Sequence, residues 1–202
     1  MEDESDEENN DIKVILLGES GVGKTCLINV TVGMNFSNEL NSTSSSTFVN
    51  KKFIKNDQPY ILNIWDTAGQ EKFRSMTKLF IKSSKIVIFV YSIDNKNSFD
   101  SLPFWVSTIK EILGNEIIVA LVGNKSDLYS NEEVKDADAQ AYADTIGAKF
   151  KLVSAKMNAK GFIDFLDELL DDYLKNKRIK KNESFEIKKE KHSKKKDKKK
   201  CC

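Results

Sequence analysis

IKVILLGESGVGKT, residues 12–25, is the stretch whose reading decides the fold. Ile12–Leu17 is a short apolar run that stops at Gly18. Such a run reads as a strand buried on both faces, as in a parallel sheet. Gly18-Glu19-Ser20-Gly21-Val22-Gly23-Lys24-Thr25 then satisfies G-x-x-x-x-G-K-[ST], and an apolar helical pattern starts at Lys24. The glycines let the backbone of Ser20, Gly21, Val22 and Gly23 wrap so that successive N–H groups face an anion. The positive end of the following helix adds to the attraction, and reaches Thr25 and Cys26. Lys24 supplies a point charge for β- and γ-phosphates, and the Thr25 hydroxyl a ligand for Mg²⁺. This segment implies a nucleoside triphosphate, without saying which base.

Outward from that segment, strand and helix patterns alternate. Lys24–Val32 reads as a helix and Gly33–Thr47 as a polar loop. Phe48–Lys55 and Tyr60–Asp66 read as two strands joined by a turn at Asn56-Asp57-Gln58-Pro59. Ile86–Tyr91 is a central strand, Ser98–Leu113 a helix with an early Pro103, and Glu116–Val122 a further strand. Asp136–Ile146 is helical, Phe150–Ser154 a last strand, and Gly161–Leu174 a last amphipathic helix. The alternation implies an α/β fold with mostly parallel strands and helices on both faces. In such sheets ligands bind beyond the carboxyl ends of the strands.

Asn124-Lys125-Ser126-Asp127 follows one of those strands and Ser154-Ala155-Lys156 follows another. A carboxylate at Asp127 can accept from both N1–H and the exocyclic amine of guanine. Adenine offers no such pair and would leave the carboxylate unsatisfied, which is a large penalty. The Ala155 N–H is placed to reach the guanine O6.

With these motifs in this order, the chain resembles a Ras-superfamily small GTPase over roughly Asp11 to Lys175. The resemblance implies the P-loop small G-protein fold, with a six-stranded, mostly parallel sheet and five helices. It implies that the protein binds GTP and GDP with Mg²⁺ and hydrolyses GTP to GDP and phosphate. By the same pattern Asn124 and Lys125 brace the nucleotide loops, Asp127 reads guanine, and Lys156 packs over the base. Phe36, eleven residues after Thr25, matches the aromatic that packs edge-on against guanine.

Trp65-Asp66-Thr67-Ala68-Gly69-Gln70-Glu71 ends the second hairpin strand. The resemblance places Asp66 on Mg²⁺ through water, the Gly69 N–H on the γ-phosphate, and Gln70 on the attacking water. Thr43, eighteen residues beyond Thr25, matches the switch threonine that closes over Mg²⁺ and the γ-phosphate. The expected catalytic residues are thus Gln70, Lys24 and Thr43, and the expected metal ligands Thr25, Thr43 and Asp66. Ser44-Ser45-Ser46-Thr47-Phe48 departs from the family, where Rab-like members carry an Ile-Gly-Val-Asp-Phe-type run. Serines compete for local backbone hydrogen bonds and offer a partner no apolar area. The run is read as a divergent working loop, with a switch that closes poorly on GTP as the alternative. Arg74 reads as a surface residue and not an internal catalytic finger, so an activating protein is expected to supply that charge.

Within the superfamily, Leu62–Thr77 is most similar to the Rab branch, with Phe48, Trp65 and Phe80 at its aromatic triad. Phe80 replaces the usual tyrosine. Cys201-Cys202, preceded by Lys194–Lys200, resembles the double-cysteine ending that carries two geranylgeranyl groups. Two lipid chains anchor stably where one is marginal, and lysines add attraction to an anionic leaflet. By resemblance the partners are an exchange factor, a GTPase-activating protein, effectors, a GDP-dissociation inhibitor and the prenylation machinery. A monomer is expected, on the cytoplasmic face of intracellular membranes, cycling with cytosol and serving vesicle traffic.

Composition sets the outer limits. The 202 residues are 40% hydrophobic, and the net charge of +1 conceals an acidic start and a lysine-rich end. Like-charge blocks stay solvated, so residues 1–11 and 176–202 are expected to be disordered arms around a GTPase domain at 12–175. No apolar run reaches the ~20 residues of a membrane span, and the acidic start resembles neither a secretory signal nor a myristoylation site. The lysine tail is read as a membrane element and not as a nucleic-acid binder. Three cysteines give no disulfide framework and no zinc spacing; Cys26 reads as a reduced near-core residue. Two alternatives stand beside the switch: a guanine-nucleotide-binding scaffold that switches or hydrolyses poorly, and a different P-loop enzyme such as a nucleotide kinase or ATPase. The Asn124–Asp127 and Ser154–Lys156 motifs weigh against the second.

Overall fold

The computed structural model describes residues 10–34, 47–66, 81–114 and 117–197. Six strands form one sheet: β1 (Asp11–Leu17), β2 (Thr47–Lys55), β3 (Gln58–Asp66), β4 (Ile86–Ser92), β5 (Ile118–Asn124) and β6 (Lys149–Leu152). Their order is β2-β3-β1-β4-β5-β6. All neighbours pair in parallel except β2 with β3, which form an antiparallel hairpin. The described α-helices are α1 (Lys24–Thr31), α2 (Lys96–Asp100), α3 (Leu102–Leu113), α4 (Asp136–Ile146) and α5 (Ala159–Asp197), and a short 3-10 helix spans Ser126–Asn131.

The apolar runs Val14–Leu17 of β1 and Ile86–Val90 of β4 are explained by burial on both faces. Val14, Leu16, Ile88 and Val90 face a core closed by Leu27 and Ile28 of α1 and by Phe162, Phe165 and Leu169 of α5. The alternating residues Ile15, Leu17, Phe89 and Tyr91 face a second core with Trp105 and Ile109 of α3 and Ala139 and Ala143 of α4. Period-two alternation divides each strand between the two cores, so both faces favour apolar side chains. The expected six-stranded, mostly parallel sheet with helices on both faces is the sheet observed.

Element ends differ from the sequence reading in three informative places. The hairpin turn is two residues, Asn56-Asp57, both at positive φ (50° and 62°), and Gln58 and Pro59 already belong to β3. Asn and Asp tolerate that left-handed backbone, which matches the twist of the flanking strands. The helix expected over Ser98–Leu113 is two helices. Asn95 caps the first by accepting from the Ser98 N–H at 3.1 Å, and Pro103 stands in the first turn of the second. Proline is tolerated there because first-turn N–H groups have no helical partner. Finally, α5 does not stop at Leu174: its backbone is helical to Asp197, through residues expected to be a disordered arm. No Gly or Pro follows Gly161 in that stretch, and Lys and Glu are good helix formers.

The acidic face of α5 is fastened to the sheet by lysines. Lys55 of β2 meets Asp167 at 2.8 Å and Asp171 at 2.9 Å, and Lys149 of β6 meets Asp172 at 2.8 Å. Lys51 of β2 donates to the Thr31 carbonyl at 2.8 Å, a cation at the negative end of α1. No described helix is long and apolar enough to cross a membrane.

Candidate nucleotide site

The parallel strands β1, β3, β4, β5 and β6 all end at one edge of the sheet, and the loops leaving them hold the sequence motifs. The turn after β1 carries Ser20 and Gly21 exposed and Val22 buried, and reaches α1 through Gly23. Gly23 has φ 92°, and a Cβ there would stand 2.4 Å from Asn124 Nδ2. Only glycine provides both the left-handed backbone and the close approach of the β5 loop.

Lys24 lies across this turn. Its ammonium donates to the Gly18 and Glu19 carbonyls, each at 2.8 Å, and the residue is 5% exposed. Burial pushes its pKa down to about 8, partly opposed by the charges of Asp66 and Glu19. A buried ammonium held by carbonyl dipoles at the N-terminus of a helix is an arrangement that an anion stabilises strongly. Beside it, the Thr25 hydroxyl donates to Asp66 Oδ2 at 2.7 Å. These two oxygen donors come from α1 and from the end of β3, and Asp66 is buried. They fit a hard divalent cation such as Mg²⁺, which takes one or two protein oxygens and completes its shell with phosphate and water. Cys26, the next residue on α1, is a half-buried free thiol whose pKa burial raises.

The base side is joined by Asn124. Its Nδ2 donates to the Val22 carbonyl at 2.8 Å, and its Oδ1 accepts from the Ala155 N–H at 3.2 Å. One buried amide therefore ties the loops after β1, β5 and β6 together. Lys125 follows in left-handed backbone (φ 62°), held by Leu128 N–H on its carbonyl at 2.8 Å. Its ammonium lies 3.7 Å from Asp94, which itself accepts a short hydrogen bond from the Ser92 hydroxyl. Asp127 accepts from the Ser154 hydroxyl at 2.5 Å, and that hydroxyl oxygen in turn accepts from the Met157 N–H at 3.0 Å. Lys156 is exposed at the mouth of this loop.

The structure thus brings together Ser20, Gly21, Val22, Gly23, Lys24, Thr25, Cys26, Asp66, Asn124, Lys125, Asp127, Ser154, Ala155 and Lys156 on one edge. Phe36, Thr43, Gly69, Gln70, Cys201 and Cys202 lie outside the described residues, as do Arg74 and Ser44–Ser46. Of the aromatic triad, Phe48 stacks on Trp65 with ring centroids 4.9 Å apart, and Phe80 is again outside. The sequence reading missed Asp94, which has no motif of its own and is recognised only by its contact with Lys125. The Ser154–Asp127 bond was also missed, although both residues were named.

Comparison with known proteins gives the same direction. The Ras family model matches residues 13–175. The chain is 37% identical over 176 residues to Ras-related protein Rab-21 of Bos taurus, covering 85% of this chain and 79% of that protein. It is 37% identical over 155 residues to Ras-related protein Rab-37 of Homo sapiens, covering 76% and 70% respectively. A match of that extent, on a six-stranded sheet whose loops carry this candidate site, places the chain in the Rab family of Ras-superfamily small GTPases.

Proposed function

We propose that this GTPase is a Mg²⁺-dependent switch that reads guanine through Asp127, holds the phosphates through Lys24 and the turn before it, and works at a membrane. The observation that carries the reading is the Asn124 junction, which fixes the phosphate turn and the base loop in one geometry. In this reading Lys24 turns toward the β- and γ-phosphates while the backbone of Gly21–Lys24 donates to them. Asp127 accepts from guanine N1–H and the exocyclic amine, Ser154 keeps its carboxylate aimed, and the Ala155 N–H meets O6. Phe36 and Lys156 cover the base.

Thr25 and Asp66 would hold Mg²⁺, joined by Thr43 when GTP is bound, and the ion would supply positive charge against the phosphates. Gly69 senses the γ-phosphate and Gln70 orients the attacking water. With no arginine assigned inside the site, intrinsic turnover is slow. An activating protein adds the ~10³–10⁵-fold that such an arginine gives. Loss of the γ-phosphate releases the segments that carry Thr43 and Gly69, and partners distinguish the two states there.

The lysines of the C-terminal stretch and lipidated Cys201 and Cys202 hold the protein at the cytoplasmic face of an intracellular membrane, where it serves vesicle traffic. Replacing both cysteines by serine is expected to move the protein from membrane to soluble fractions; retention on membranes contradicts the anchor. The serine run Ser44–Ser46 supports a second reading, a guanine-nucleotide-binding scaffold that closes poorly on GTP. Single-turnover GTP cleavage with Mg²⁺, on the wild type and on Gln70→Leu and Thr43→Ala, separates the two. Slow cleavage that both substitutions depress supports the switch. Tight GTP binding with no cleavage, even with an activating protein, supports the scaffold.

A further inference from the structure

Tyr91 is fully buried at the end of β4, in register with Gly123 of β5. Gly123 immediately precedes Asn124, the residue that joins the three nucleotide loops. A Cβ on Gly123 would meet the Tyr91 hydroxyl at 2.6 Å, Tyr91 Cζ at 2.9 Å and Leu152 Cδ2 at 2.5 Å. The tyrosine ring therefore occupies the space that any other residue at 123 would fill. From behind, Phe99 of α2 packs edge-on against Tyr91 with ring centroids 5.0 Å apart, and Tyr142 of α4 packs on Phe99 at 5.5 Å. This row of rings runs from α4 to the backbone of β5.

Gly123 is also held in the sheet, since its carbonyl accepts from the Val153 N–H at 2.9 Å. Successive strand residues face opposite sides. Asn124 thus reaches toward Val22 while Tyr91 bears on the neighbouring residue from the other side.

We infer that Tyr91 is a positioning residue for the base-reading loop, acting through its contact with Gly123 to set where Asn124, and with it Asp127, stands. Among the described residues the Tyr91 hydroxyl has no hydrogen-bond partner. It contributes bulk against Gly123 and not a bond. Burial, with Asp136 and Glu132 adding negative charge nearby, holds its pKa above the ordinary tyrosine range, so the group stays neutral. This inference rests on the reading that Asp127 accepts from guanine.

The test compares GDP with inosine diphosphate, which lacks the exocyclic amine, on the full chain with Mg²⁺. Wild type is expected to prefer GDP about tenfold, the worth of one hydrogen bond to a carboxylate. Gly123→Ala is expected to weaken GDP binding at least ~10-fold and to narrow that preference at least ~3-fold. Adding Tyr91→Leu, which removes both tyrosine atoms that lie within 3 Å of the new methyl, should recover ~3-fold or more of the GDP affinity. A general loss of stability lowers both affinities together and leaves the preference intact. Should Gly123→Ala not fold, Tyr91→Leu decides the matter, because it opens space without a clash and should also narrow the preference. A wild-type preference in Gly123→Ala or Tyr91→Leu, or a Tyr91→Leu effect that merely adds to that of Gly123→Ala, overturns the inference alone. A wild type with no preference for GDP overturns the Asp127 reading and this inference with it.

Discussion

The two halves of the nucleotide site are held by different physics. On the phosphate side a buried ammonium, Lys24, rests on two carbonyls and has its pKa pushed down to about 8 by burial. On the base side the junction is neutral: Asn124 donates to Val22 and accepts from Ala155, both within the protein. The first half is an electrostatic arrangement that an anion completes. The second is a preformed frame. Tight binding and its pH dependence should therefore come from Lys24, and the choice of base from the frame that Asn124 holds.

The largest expected effect comes from removing the cation. Lys24→Ala deletes a charge-assisted donor to two phosphates, each such bond being worth ~1.5–3 kcal/mol. Affinity for a non-hydrolysable GTP analogue, which offers both the β- and the γ-phosphate, should fall by at least ~100-fold in a calorimetric titration. An unchanged affinity would remove Lys24 from the phosphate side altogether.

Asn124→Ala breaks the neutral half instead. It leaves the Val22 carbonyl and the Ala155 N–H to find other partners, at ~1–3 kcal/mol for a buried group. GDP affinity should drop about 10–100-fold, equally at pH 7 and pH 8.5, since no titrating group is involved. A loss that varied with pH would blur the division between the halves.

The smallest effect is expected far from both. Lys55 ties β2 to Asp167 and Asp171 of α5, and those carboxylates are nearly half exposed. Lys55→Ala should cost about 0.5–1 kcal/mol in denaturant unfolding and leave GDP affinity unchanged. A several-fold change in affinity would show that the hairpin clamp communicates with the site.

The same division explains what was legible in the sequence. Residues 18–25 and 124–127 are contiguous motifs whose chemistry requires particular side chains at fixed spacing, and the structure sets both on the carboxyl edge of the sheet. The strands were legible because burial on both faces forbids polar residues in runs such as Ile86–Tyr91. Contacts across long separations were not. Lys55 and Asp171 stand 116 residues apart, and each by itself reads as a solvated surface charge. The break at Ser101 is hard to see because an early proline is compatible with one helix, whereas Asn95 and Pro103 mark two starts. The extent of α5 is not legible from charge alone: lysine runs repel one another, yet no Gly or Pro between Gly161 and Asp197 interrupts the helix.

The central claim, that a buried lysine with a lowered pKa waits for the phosphates, is tested most directly by counting protons. GDP binding should be measured by isothermal titration calorimetry between pH 7 and 8.5, below the range in which guanine N1–H itself ionises, in pairs of buffers that differ in ionisation enthalpy. Free Lys24 loses its proton above about pH 8, and the phosphates favour the charged form. Binding should therefore take up almost no proton at pH 7 and approach one proton per GDP above pH 8, with affinity falling up to tenfold per unit. Lys24→Ala should abolish the uptake. A wild type that binds GDP tightly with no uptake at any pH in this range would contradict the account.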